Sequence, residues 1–173
     1  MKGDEQIREA LERNVKVVAR RPEVGRGTAT TKATLRPGLE CTVTEGSNEL
    51  KIGMSEKYGG RGGAPNPGVL GRGALASCLA ICYGMWAARL NVPCESIEVE
   101  VQADYDVSGE LGLTDDVRPG YSEVRYIVTV VSSASEQDVQ AMLDAADRHS
   151  SYRDIFANGV PLTREVRMTN PTA

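Results

Sequence analysis

Histidine is almost missing from this chain: His149 is the single one in 173 residues. A His-rich metal centre is thereby excluded. Cysteine is scarce as well, and the four at positions 41, 78, 82 and 94 follow no zinc-ligand spacing, so neither a metal nor another cofactor is expected. Aromatic residues make up 5% of the chain, which leaves Leu, Val, Ile and Ala to fill the interior. Positive charge is not in excess. The net charge is -4 and the pI about 5.2, so no broad basic field is there to hold a phosphate backbone, and nucleic acid is not an expected partner. No uninterrupted apolar run approaches the ~18 residues that a membrane span requires. The opening Met1-Lys-Gly-Asp-Glu-Gln lacks the apolar segment of a secretory signal. These absences predict a cytoplasmic protein without a membrane partner, its cysteines resting as thiols.

What is present describes one globular domain. Hydrophobic residues are 40% and charged residues 25% of the chain, enough for a real core at this length. Ile7, Leu11, Val15 and Val18 recur at helical spacing and predict a helix over 4–20, stopped by Pro22. From Gly27 the pattern turns to short strands. Thr28–Leu35, Leu39–Thr44 and Glu49–Met54 are separated by Pro37-Gly38 and Gly46-Ser-Asn48, which predicts an antiparallel meander. Residues 58–68 hold five Gly and two Pro, the composition of a shaped loop. The phosphate-cradling pattern G-x-x-x-x-G-K-[ST] is absent from it.

A strongly apolar helix follows over Val69–Leu90 and ends at Asn91-Val-Pro93. Ser96–Tyr105 alternates, with Ile97, Val99 and Val101 opposed to Glu98, Glu100 and Gln102. Ser122–Ser132 does the same, and both read as half-buried strands. Between them lies a polar loop. Ser135 opens a helix running to about His149, with acidic residues in its first turn where the macrodipole favours them. Val160–Met168 reads as a last strand. The order α, βββ, α, ββ, α, β is α+β, with antiparallel sheets around a buried central helix. Residues 1–26 form a helical extension and linker, and 27–173 the domain.

The central helix carries a thiol, Cys78, in Pro67-Gly-Val-Leu-Gly-Arg-Gly-Ala-Leu-Ala-Ser-Cys-Leu-Ala-Ile-Cys-Tyr-Gly-Met-Trp86. Five segments of the chain, in order, resemble one family. They are the Gly-rich lead-in Gly59–Leu70, the first cysteine motif Ala74-Leu-Ala-Ser-Cys78, the strand within Leu90–Val101, the loop and strand start Asp116–Arg125, and His149–Pro161. The family is the OsmC/Ohr group of thiol-dependent organic hydroperoxide reductases. The resemblance implies an OsmC-like α+β fold and an intertwined homodimer whose site lies between subunits. It implies a first cysteine that attacks the peroxide and becomes sulfenic acid, and a second that closes a disulfide for a dithiol partner to reduce. It implies an arginine that stabilises the thiolate and a glutamate that holds the arginine.

Carried onto this chain, the first cysteine is Cys78 and the arginine is Arg36, in the turn between the first two strands. The glutamate position, after Asn66-Pro67, is Gly68. The second-cysteine position is Ser150, or Ser151 if the loop shifts by one. The expected function is thiol-dependent reduction of an organic hydroperoxide through Cys78, with an external thiol as reductant. The alternative is a non-peroxidatic dimer that binds an apolar small molecule at its interface.

Other residues have plainer readings. Cys78 lies about nine residues into its helix, beyond the reach of the N-terminal dipole, so lowering of its pKa is expected from a cation, Arg36 of a second subunit. Arg72, six residues earlier, projects the other way at ~100° per residue. Cys82 is one turn on, its Cβ ~5–6 Å from that of Cys78, too far for an undistorted disulfide, and is expected in the core. Cys41 and Cys94 are expected to be structural. His149 beside Ser150 and Ser151 invites a hydrolase reading, but no G-x-S-x-G elbow is present, and His149 is expected as a polar helix end. Met85, Trp86 and Tyr152 could line an apolar pocket, though at helical spacing they are more often core.

Overall fold

The computed structural model describes residues 4–170. Helix α1 spans Asp4–Arg20. Its first turn is acidic and its last basic, both in favour of the macrodipole. Ile7 and Leu11 are half-buried, whereas Val15 and Val18 are exposed. A single 3-10 turn, Pro22–Gly25, follows. Strands β1 (Lys32–Arg36), β2 (Glu40–Glu45) and β3 (Asn48–Gly53) form the expected meander. Leu35 lies opposite Cys41 and Arg36 opposite Glu40. The β1–β2 turn needs two left-handed residues, Gly38 at φ 87° and Leu39 at φ 52°; glycine takes such a φ freely and leucine only under constraint.

After Gly53 the backbone doubles back on itself. A Cβ on Gly60 would stand 2.0 Å from the Met54 carbonyl oxygen, so only glycine fits there. Helix α2 then runs Pro67–Leu90, with proline in its first turn and the Asn66 side chain accepting from the Val69 N–H at 3.0 Å. Asn91, left-handed at φ 55°, closes it. Strands β4 (Cys94–Asp104) and β5 (Glu123–Ser132) make an antiparallel ribbon with Val99 opposite Val128 and an irregularity between Cys94 and Ser96. A short helix α3 (Val107–Glu110) lies in the loop between them. Helix α4 (Glu136–Asp147) is capped by Ser135, and α5 (Ser151–Ala157) by Ser150.

The core is one cluster. Leu75, Leu79, Tyr83 and Ala87 of α2 meet Met142 and Ala146 of α4, Val92 and Cys94. The inward residues of the ribbon, Ile97, Val99, Val101, Val124, Tyr126, Val128 and Val130, pack onto it. Burying a Leu of this kind contributes ~1.5–3 kcal/mol.

In the single chain the central helix is buried on one side: Val69, Ile81, Met85 and Leu90 are exposed, Ile81 by 64%. Three expectations need correcting. Counted by mean hydropathy instead of unbroken runs, α2 is also long and apolar enough to cross a membrane, the one such helix among the described residues; its Gly, Ala and Ser residues interrupt the strongly apolar ones without making the helix polar. Residues 158–170 form no strand. A strand exists through its hydrogen-bonded neighbour, and none lies beside this segment, whose Leu162 is 95% exposed. Finally, the first strand starts at Lys32, not Thr28.

Candidate thiol site

Cys78 projects from α2 toward the turn that links α4 to α5. Its Sγ lies 3.8 Å from the Ser150 hydroxyl and 3.7 Å from the Ser151 hydroxyl. The backbone N–H groups of Ser151 and Tyr152 also favour the charged form of the sulfur. Burial is the largest single influence on this thiol and opposes ionisation; the Tyr152 N–H, the two hydroxyls and the Ser151 N–H together outweigh it, so its pKa falls below that of an ordinary cysteine. Hydrogen bonds to a thiolate favour the charged form, and a lowered pKa is what distinguishes a reactive cysteine from a packing one.

Within one chain this lowering comes from the first turn of a second helix, a source the sequence reading did not name. A signal was available. Ser150 before Ser-Tyr-Arg-Asp-Ile-Phe is an N-cap pattern, with Asp154 in the first turn of α5. Its hydroxyl caps the Arg153 N–H at 3.5 Å while facing the sulfur. Ser150 is 3% exposed, so no water replaces that contact freely.

Cys78 opens into a hollow of about 540 Å³ lined by Ala74, Ser77, Ile81, Met85 and Tyr152, with Cys82, His149 and the two serines. Cys82 packs against the core as expected, half-buried, and also borders this hollow, donating to the Ala146 carbonyl at 3.4 Å. Burial pushes its pKa up, helped by the negative charge of Cys78 and Asp147. The same face of one helix thus carries one thiol disposed to ionise and one disposed to stay neutral. No disulfide joins any of the four cysteines.

His149 lies two residues past the end of α4, where its Nδ1–H donates to the Ala145 carbonyl at 2.7 Å. Its ring stacks on Trp86 at 4.8 Å, and the Arg89 guanidinium covers Trp86 at 4.7 Å. Trp86 is therefore taken up by this stack, while Met85 and Tyr152 do line the hollow.

Behind the turn lies a polar hub. Tyr83 of α2 donates to Asp147 Oδ1 at 2.6 Å and Tyr126 of β5 donates to Asp147 Oδ2 at 2.8 Å. Arg153 Nε donates to the Tyr126 hydroxyl at 3.1 Å and stands 3.7 Å from Asp147. Burial and the bond to Asp147 push the Tyr83 hydroxyl far above its ordinary pKa, so it remains a donor.

The remaining expected positions lie elsewhere in the chain. Arg36 is exposed at the end of β1 and lines no part of the Cys78 hollow. Gly68 lines a separate hollow of about 390 Å³ at the start of α2, with Arg72, Tyr58, Tyr105 and Tyr121. Arg72 does turn away from Cys78. It donates to the Tyr121 hydroxyl at 2.9 Å, and that hydroxyl bonds the Gly68 carbonyl at 3.3 Å. Cys41 sits half-buried in β2 and Cys94 is buried at the start of β4. Among the described residues, no group of three His, Cys, Asp or Glu side chains is placed to hold a metal ion.

The model of the OsmC-like protein family matches residues 60–165, more than half of the chain. Among solved structures, an OsmC-like protein from Mycoplasma pneumoniae superposes with TM-score 0.67 at 13% identity, over 77% of this chain and 89% of that one. The organic hydroperoxide resistance protein OsmC from Legionella pneumophila gives 0.54 at 18%, over 75% and 89%. An organic hydroperoxide resistance protein from Elizabethkingia anophelis with thiocyanate bound gives 0.58 at 14%, over 78% and 91%. At such identities the likeness is one of fold. No curated protein matches the sequence. The chain belongs to the family of OsmC-like proteins.

Proposed function

We propose that this protein reduces organic hydroperoxides through Cys78, with an external thiol as reductant. The observation that carries the reading is the half-buried Cys78 sulfur held under two hydroxyls and the Tyr152 N–H, with its pKa lowered, at the edge of an apolar hollow. The thiolate attacks the outer peroxide oxygen, the O–O bond breaks, and the alkoxide takes a proton to leave as alcohol. Cys78 becomes sulfenic acid. Two of the neighbours in fold are named for organic hydroperoxide resistance, which agrees with this chemistry.

The second half of the cycle departs from the two-cysteine scheme. Ser150 and Ser151 occupy the place facing Cys78 and cannot form a disulfide. An external thiol condenses with the sulfenic acid, releasing water and giving a mixed disulfide, and a second thiol regenerates Cys78 with release of the external disulfide. Cys82 is a poor resolving thiol, being neutral and turned to the Ala146 carbonyl.

The working unit in this proposal is a homodimer. The open apolar face of α2, with Ile81 and Met85, the β1–β3 sheet and the extended segment 158–170 are the surfaces a second copy would cover. Arg36 would then reach Cys78 from the other subunit and polarise the peroxide, without a glutamate at Gly68 to hold it.

A specific observation favours a second reading, an apolar ligand held in the hollow without turnover: both Gly68 and Ser150 lack the side chains that the two-cysteine scheme uses. Consumption of cumene hydroperoxide and hydrogen peroxide with excess dithiothreitol, in wild type beside Cys78→Ser, decides. Turnover lost in the variant supports the peroxidase. Equal rates in both support the ligand-binding dimer.

A further inference from the structure

We infer that Tyr83, Asp147, Tyr126 and Arg153 form a clamp that positions the donors of Cys78 and thereby sets its ionisation. Helix α4 ends at Asp147 and α5 begins at Ser151, so the turn carrying Ser150, Ser151 and Tyr152 is short. Both of its ends are fastened to one point. Asp147, before the turn, accepts from Tyr83 and Tyr126; Arg153, after it, donates to Tyr126 and pairs with Asp147. The turn can neither slide nor swing without breaking one of these bonds.

The clamp is also referenced to the thiol. Tyr83 comes from α2, the helix that carries Cys78, and its side chain is 1% exposed. The donors on the turn and the sulfur they face are therefore held in register through a single rigid element. Such precision matters because a hydrogen bond weakens steeply with angle and distance. Two contacts at 3.7 and 3.8 Å to sulfur have little slack. None of the four clamp residues is among the groups that act directly on the Cys78 pKa. They act through the turn, as positioning residues.

Apolar burial alone would not require this arrangement. Asp147 brings a carboxylate into a half-buried place, and an uncompensated charge there is costly. Two hydroxyl donors and a guanidinium satisfy it, which is the behaviour expected of a retained polar network that specifies one geometry.

The inference concerns the thiol's ionisation and stands apart from peroxide turnover, so its test does not use peroxide. Alkylation of Cys78 by iodoacetamide is followed across pH in the full chain, with the Cys78 peptide quantified by mass spectrometry. Tyr126→Phe and Arg153→Met remove clamp bonds while keeping side-chain bulk. The expected result is an alkylation curve displaced to higher pH, with the rate near neutral pH lowered about fivefold to tenfold and the high-pH plateau unchanged. Arg153→Lys should restore part of the effect. Asn158→Ala removes the 2.8 Å bond from Asn158 to Asp154 at the other end of α5 and should leave the curve in place. Both clamp variants are first checked for wild-type circular dichroism and cooperative melting; Tyr83→Phe serves in their place if either fails to fold. A folded clamp variant whose Cys78 curve coincides with wild type overturns the inference. So does an equal displacement in Asn158→Ala, since that would make general loosening of α5 the cause.

Discussion

The two faces of α2 have opposite fates. On one face Leu75, Leu79, Tyr83 and Ala87 are fully buried against α4 and the β4–β5 ribbon. On the other, Val69, Ile81 and Met85 lie open. Cys78 and Cys82 stand on the border, both half-buried. The difference shows why a helix that looks like pure core in the sequence can carry chemistry. A thiol wholly within the packed face would be raised in pKa by burial, and one wholly on the open face would be an ordinary cysteine. At the border, the first turn of α5 can reach the sulfur while the hollow remains open to a substrate.

The strongest test of this contrast is at the border itself. Cys78→Ser should reduce hydroperoxide turnover by at least about 100-fold and leave the melting temperature close to wild type; a variant that still turns over would place the chemistry elsewhere. The packed face comes next. Leu79→Ala should cost about 2–5 kcal/mol of stability by denaturant unfolding, because Leu79 is 0% exposed. A cost under about 1 kcal/mol would show that this face is looser than it looks.

On the open face, Ile81→Glu should convert the proposed dimer to monomer in analytical ultracentrifugation at micromolar concentration, with the β4–β5 and α4 core still folded. Wild type sedimenting as a monomer would remove the dimer from the account. Smaller effects separate the two thiols by pH. Folding holds the Cys78 pKa below its unfolded value, so the stability this group adds is present above the unfolded pKa and is lost as pH falls through the folded one. Cys78 should therefore alkylate at lower pH than an ordinary cysteine, whose pKa is about 8.5, and Cys82 at higher pH. Unfolding in guanidinium should merge the two curves. Cys82→Ser should change turnover by less than about twofold.

Much of this was legible in the residues. Alternation placed β4 and β5, helical spacing placed α1, α2 and α4, and the Gly-rich lead-in with Ala74–Cys78 pointed to the fold family. The misses have definite physical causes. Residues 160–168 have a strand's composition, but pairing is a property of two segments, and composition reports on one. The openness of α2 is equally invisible in its own sequence, because apolar periodicity does not say what covers the second face. The resemblance already set Ser150 and Ser151 opposite Cys78; their part in lowering its pKa was missed because it depends on α5 starting there, and that short helix was not read from the residues. Arg36, read from the resemblance alone, lies outside the hollow in a single chain.

The Ser150 hydroxyl has a consequence that runs in reverse. One oxygen both starts α5 and faces the sulfur. Linkage is reciprocal: whatever the start of α5 does for the thiolate, the thiolate does for the start of α5. Protonating or capping Cys78 withdraws the negative charge that the hydroxyls and N–H groups face. The first turn of α5 should then fray more often, and amide hydrogens at 151–153 should exchange faster in alkylated protein than in the thiolate form. In this sense the helix start acts as a gauge of the sulfur's chemical state, readable on the backbone without any substrate being present.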